Sequence, residues 1–232
     1  MMTNEPVSNT EPAPKKRARS AQDQKTINTL NERRAALTAV LNSADATPRL
    51  DPRGYNAASL NEGLALGEAV QSAFTDRQLA KDTSDVAFAT LEAADLAVRT
   101  GLKSFRRIAG GVFATNTTAR ETLNLNARIS DDRQKLIGLA ETTYQAALSR
   151  STYLAALSKR GYDEAALNVE LAKIAALRQA EAAALESDQS AMRATTQRKD
   201  AAKAFDLWWR EFTATAGVAF EGRPDLLGLL GL

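Results

Sequence analysis

Apolar residues recur at three- and four-residue steps along most of this chain, the spacing that gathers them on one face of an α-helix. Ile27, Leu30, Leu37 and Leu41 lie near one face of a stretch from Lys25 to Asn42, with Arg33 and Arg34 off it. Pro48, Pro52 and Gly54 then interrupt the pattern, so residues 43–54 read as a break. A second helical stretch runs from Tyr55 or Asn56 to about Phe113. Gly63, Gly67 and Gly101 read as tolerated interruptions within it, each costing about 1 kcal/mol relative to alanine. Residues 116–131, rich in Thr and Asn, read as a polar connector, and 132–158 as a further helix ended by Arg160-Gly161. From Asp163 no Gly or Pro occurs until Gly217; as one straight helix that stretch would extend roughly 80 Å. No stretch alternates as a strand would, so the expected fold class is all-α.

Composition supports this reading. The chain holds 45 alanines and 28 leucines among 232 residues, against 12 glycines and 6 prolines. Alanine and leucine are the strongest helix formers. Aromatics are 6%, which suits thin layers of closely packed helices better than a thick core.

Self-comparison shows an internal repeat. Arg53-Gly54-Tyr55 returns as Arg160-Gly161-Tyr162, 107 positions later, and residues 53–73 match 160–180 at 10 of 21 positions without a gap. At the same offset Phe105, Ala109, Gly110 and Phe113 match Phe212, Ala216, Gly217 and Phe220. Two separated blocks of uncommon residues sharing one offset imply a tandem duplication of a helical hairpin or bundle unit. The expected organisation is a disordered tail at 1–24 and two homologous helical units at 25–125 and 132–232. Arg53, Gly54 and Tyr55, with Arg160, Gly161 and Tyr162, form the expected structural corner of each unit. Glycine would end the first helix in the left-handed conformation, tyrosine would pack across the turn, and Asn56 or Asp163 would cap the next helix.

Five leucines, Leu226, Leu227, Leu229, Leu230 and Leu232, fall in the last seven residues after Gly222 and Pro224. Exposing them would cost roughly 25 cal/mol per Å². They are expected to cover the end of their own bundle, or else to meet a neighbouring subunit, which makes them candidate interface residues. Trp208 joins them: Trp209, Phe212, Ala216 and Phe220 share a core-like face, and Trp208 lies about 100° away from it.

The closing residues 223–232, Arg-Pro-Asp-Leu-Leu-Gly-Leu-Leu-Gly-Leu, and the aromatic stretch Trp208-Trp209-Arg210-Glu211-Phe212 resemble the ends of a loose group of bacterial tandem helical-bundle proteins. Phe105-Arg106-Arg107-Ile108-Ala109 is similar to the corresponding stretch of their first unit. The resemblance covers about the last third of each unit. It implies a helical bundle and carries no activity.

The chemistry available is narrow. There is no cysteine and no histidine, so disulfides, Cys/His zinc sites and imidazole-based nucleophilic catalysis are excluded. No Gly-x-x-x-x-Gly-Lys-Ser/Thr phosphate loop occurs. The carboxylate pairs Asp131-Asp132, Asp82 with Asp85 and Glu181 with Glu186 lie among arginines and lysines and read as solvated helix faces. No catalytic, cofactor or metal residue is expected, and no enzyme activity.

Net charge is +2, which gives no general attraction to nucleic acid or membrane. Within the tail, however, Lys15, Lys16, Arg17 and Arg19 place four positive charges in five positions. They are candidate contacts for nucleic acid or an acidic partner. No run of 18 apolar residues and no signal-peptide pattern occurs, so no membrane insertion is expected and the expected location is cytoplasmic.

Two functions follow as expectations. The first is a non-enzymatic structural or protein-interaction protein that assembles with copies of itself into an oligomer, fibre or layer, with the leucine end meeting another subunit's corner. The second is a nucleic-acid-associated accessory protein acting through the basic tail, with Arg106 and Arg107 as further phosphate contacts.

Overall fold

A computed structural model describes residues 21–231 of the chain. Eight α-helices and one 3-10 turn account for most of these residues, and no strand occurs among them: the fold is all-α. Helix α1 spans Ala21–Leu41 and the short α2 spans Thr47–Leu50, followed by a 3-10 turn at Asp51–Arg53. The long helix α3 runs Ala57–Val112, and α4 follows at Thr117–Thr122. Helices α5 and α6 span Arg133–Ser149 and Ser151–Ser158. The second long helix, α7, runs Glu164–Ala219, and α8 closes the described chain at Pro224–Gly228.

Local chemistry explains most boundaries. Helices α3 and α7 are 56 residues each, and they start 107 positions apart. Each begins behind a glycine with positive φ, +88° at Gly54 and +85° at Gly161, where a side chain would be strained. Each is capped by a side-chain oxygen: Asn56 Oδ1 accepts from the Ser59 amide at 3.0 Å, and Asp163 Oδ1 from the Ala166 amide at 2.8 Å. The turn before each is closed alike, by Tyr55 N–H to Leu50 C=O and Tyr162 N–H to Leu157 C=O, both at 3.2 Å.

Several expectations need correcting. Residues 21–24 lie within helix α1, so they are helical and not tail. The break at 43–54 holds α2, which starts ahead of Pro48, where a missing amide costs nothing. The polar connector holds α4, because the Asn116 side chain accepts from the Ala119 amide at 2.9 Å and Ala119 and Leu123 are buried. The stretch 132–158 is two helices. Arg150 is extended (φ −116°, ψ 105°), and its carbonyl accepts from Tyr153 and Leu154 to start α6.

The chain divides into two compact units that cut across the segments 25–125 and 132–232. One unit runs to Asp82 and resumes from Ala194; the other is Thr83–Arg193. Each is built from the start of one sequence segment and the end of the other, because each long helix contributes one half to each unit. In the first unit, α1 buries Leu30, Leu37 and Val40 against Val70 and Phe74 of α3 and Phe205 and Phe212 of α7. In the second, α5 buries Leu136, Ile137 and Tyr144 against Leu91, Val98 and Phe105 of α3 and Ile174 and Leu177 of α7. Burial at steps of seven, as in Leu91, Val98 and Phe105, keeps one stripe of each long helix facing its neighbours.

Candidate functional site

The two corners are aromatic contacts between the sequence segments. In the first unit the Tyr55 ring packs edge-on against Phe212 at 5.3 Å, and Trp208 stacks on the same Phe212 at 5.2 Å. In the second unit Tyr162 packs edge-on against Phe105 at 5.2 Å, with Tyr144 on the same ring at 5.2 Å. Phe105 and Phe212 are themselves 107 positions apart. Tyr55 and Tyr162 are half-buried, and burial raises both hydroxyl pKa values, with a nearby carboxylate (Glu211 or Glu170) adding to the effect. The flanking Arg53 and Arg160 are exposed. These corners pack the fold.

Trp208 is half-buried, held in a notch opened by Gly63: a β-carbon there would stand 2.2 Å from Trp208 Cη2. Gly63 is therefore a packing position and more than a tolerated interruption. Of the candidate interface leucines, Leu226 and Leu230 are buried in the first unit's core, and Leu227 and Leu229 pack against it. This end of the chain closes its own unit. Leu232, like Lys15, Lys16, Arg17 and Arg19, lies outside the described residues.

Arg106 does not present its charge to an outside phosphate. Its Nη2 donates to the Leu125 and Ala127 carbonyls, and burial lowers its pKa. It pins the loop after α4, and Arg99 does the same for the next loop through the Ser130 and Asp131 carbonyls. Arg107 is exposed. No sequence pattern distinguishes the loop-pinning arginines from solvated ones, since their carbonyl partners lie 19–32 positions away.

The second unit buries a polar pair. The Tyr144 hydroxyl and Glu170 Oε2 are buried near each other, and neither has a partner in good hydrogen-bond geometry. Glu170 Oε1 accepts from Lys173 Nζ at 2.6 Å. Burial, and then the Glu170 carboxylate, push the Tyr144 pKa far above its ordinary value.

The first unit carries an open groove of about 630 Å³ between α1 and the C-terminal half of α7, adjoined by a smaller one of about 250 Å³. Its acids are already paired. Asp23 accepts from Arg198 at 2.6 Å and from Arg77 at 3.1 Å, and Asp206 from Arg33 at 2.5 Å. Arg198 and Arg33 also lie over aromatic rings, Phe74 at 5.0 Å and Trp209 at 5.5 Å. Among the described residues no group of three or more acidic side chains is placed to hold a metal ion, and no helix is long and apolar enough to cross a membrane.

Comparison with protein-family models, with curated proteins and with solved structures returns no match.

Proposed function

We propose that this chain is a non-enzymatic helical scaffold, derived from a tandem duplication, that associates with copies of itself through outward faces of its two long helices. The observation that carries the reading is where apolar surface is left exposed. Every large apolar side chain exposed among the described residues lies on α3 or α7. Leu96 is 64% exposed, Leu185 61% and Val169 56%. Scattered exposed apolar residues are ordinary, but their confinement to two helices fits surfaces that pair in a coiled-coil manner. Covering one such side chain is worth about 1.5–3 kcal/mol. The duplication is supported by the matched lengths, caps and left-handed glycines of α3 and α7. With Leu226 and Leu230 buried, association runs along the helices and does not use the leucine end.

Light scattering across a range of protein concentrations tests this. The expected result is a mass that rises with concentration in the wild type and stays monomeric in Leu96→Glu/Leu185→Glu. A wild type that is monomeric at every concentration overturns the reading, as does an unchanged mass in the variant.

A further inference from the structure

We infer that the groove between α1 and the C-terminal half of α7 is a sequence-independent binding site for a nucleic-acid backbone. Six cations line the groove and its smaller neighbour, Lys25, Arg33, Arg198, Lys199, Lys203 and Arg210, against two acids. Both acids are engaged by arginines, and the pairs Asp23–Arg198 and Asp206–Arg33 neutralise two of the six charges. Lys25, Lys199, Lys203 and Arg210 make no ion pair among the described residues, so four positive charges face the groove uncompensated.

Their arrangement is linear. Lys199, Lys203 and Arg210 fall within about 40° of one another around α7, and the stripe runs about 16 Å along it. One strand of a duplex carries a phosphate about every 3.4 Å of axis, so such a stripe spans about five phosphates. A concave, linear track of mostly positive charge suits a strand of regularly spaced anions better than a flat lipid surface. The four groove cations offer charge and no rigid pocket for a particular acidic side chain.

The fold does not need this charge. At the offset of 107, Lys199 and Lys203 stand where the first segment has Glu92 and Leu96, Lys25 corresponds to Asp132, and Arg210 corresponds to Lys103. The other unit thus keeps one of these four positive charges, which separates most of the groove's basic character from the packing of the helices.

The test is fluorescence anisotropy with a labelled 30-base oligonucleotide, single-stranded and duplex, using the full chain over a salt series. The wild type is expected to bind both forms at low salt, with affinity falling steeply as salt rises. Lys199→Gln/Lys203→Gln/Arg210→Gln is expected to weaken binding and to lower the log–log salt slope by about 2–3, at about 0.9 per lost phosphate contact on duplex. Lys103→Gln, a single exposed change on α3, is the control and is expected to bind as the wild type does. An unchanged slope in the triple variant, with helicity intact by circular dichroism, overturns the proposal. So does a wild type that binds no oligonucleotide at low salt, or one displaced as well by polyglutamate of equal charge or by phosphatidylserine vesicles.

Discussion

The indole of Trp208 occupies the space that a β-carbon on Gly63 would fill, with Cη2, Cζ2 and Cζ3 all within 2.5 Å of that point. Two rings brace it: Phe212 stacks on it and Tyr55 meets it edge-on at 5.9 Å. In the second unit the counterpart positions are reversed: Glu170 is large and Gly101 small, with the Glu170 Oε2 2.0 Å from a β-carbon built on Gly101.

Gly63→Ala is therefore expected to destabilise the first unit by about 1–3 kcal/mol, the usual cost of overpacking. Gly101→Ala is expected to cost less, since a glutamate end can swing where an indole cannot. In Gly63→Ala/Trp208→Ala the two losses should add to less than their sum. Urea unfolding followed by tryptophan fluorescence reads the first unit alone, because Trp208 and Trp209 are the only tryptophans and both lie there. Strict additivity would show that the two positions do not meet.

At the corners the issue is backbone and not space. A β-carbon at Gly54 or Gly161 meets nothing within 4 Å, so Gly54→Ala and Gly161→Ala should cost only the left-handed conformation, roughly 1–2 kcal/mol each. Gly54→Ala should lower the tryptophan-detected midpoint. Gly161→Ala should leave that midpoint in place and appear in the far-ultraviolet signal. Asparagine at either position should cost less than alanine.

Tyr144 sets an alkaline limit on stability. Its folded pKa lies above the ordinary 10, raised first by burial and then by Glu170. Above about pH 10 an unfolded chain releases this proton while the folded chain keeps it. The folded state then binds more protons, and its stability falls as pH rises. Tyr144→Phe removes the titrating group, and with it a buried hydroxyl that has no partner in good hydrogen-bond geometry. The variant should match or exceed the wild type in stability at neutral pH and hold that stability further above pH 10. Unfolding free energies measured at neutral and alkaline pH check both parts. A large loss at neutral pH would mean that the hydroxyl has a partner.

Leu226→Ala and Leu230→Ala should each destabilise the first unit by about 2–5 kcal/mol and leave the mass in solution unchanged under native conditions. Denaturant midpoints and light scattering on the same samples separate this from an interface role. A variant of full stability but reduced mass would return these leucines to a contact between subunits.

Much of the architecture was legible in the chain. The helical period, the Gly-Tyr corners and the caps at Asn56 and Asp163 are local signals, and local signals set helix boundaries. The helix break at Arg150 was not legible, because no glycine or proline marks it. What holds Arg150 extended includes the contact of its own side chain with the Tyr153 ring and hydroxyl. The compact units escaped the repeat analysis for a related reason. Similarity finds which stretches are alike, but the contacts that build a core join Tyr55 to Phe212 and Tyr162 to Phe105, unlike partners far apart in sequence. The groove also lay beyond reach, since Lys25 and Lys203 come to line adjoining grooves only when α1 lies against α7.

The division of the chain sets an order of events during synthesis. Residues 83–193 form a continuous stretch, so that unit has all its chain once α7 is half made. The other unit opens with α1 but lacks Phe205, Phe212, Phe220 and Leu226 until the ribosome has added more than a hundred further residues. Through that interval Leu30, Leu37 and Val70 have no completed core to enter. The early-made half of this unit is thus the part of the nascent chain most exposed to chaperones, to aggregation and to proteases, and ribosome stalling before Phe205 would leave it stranded.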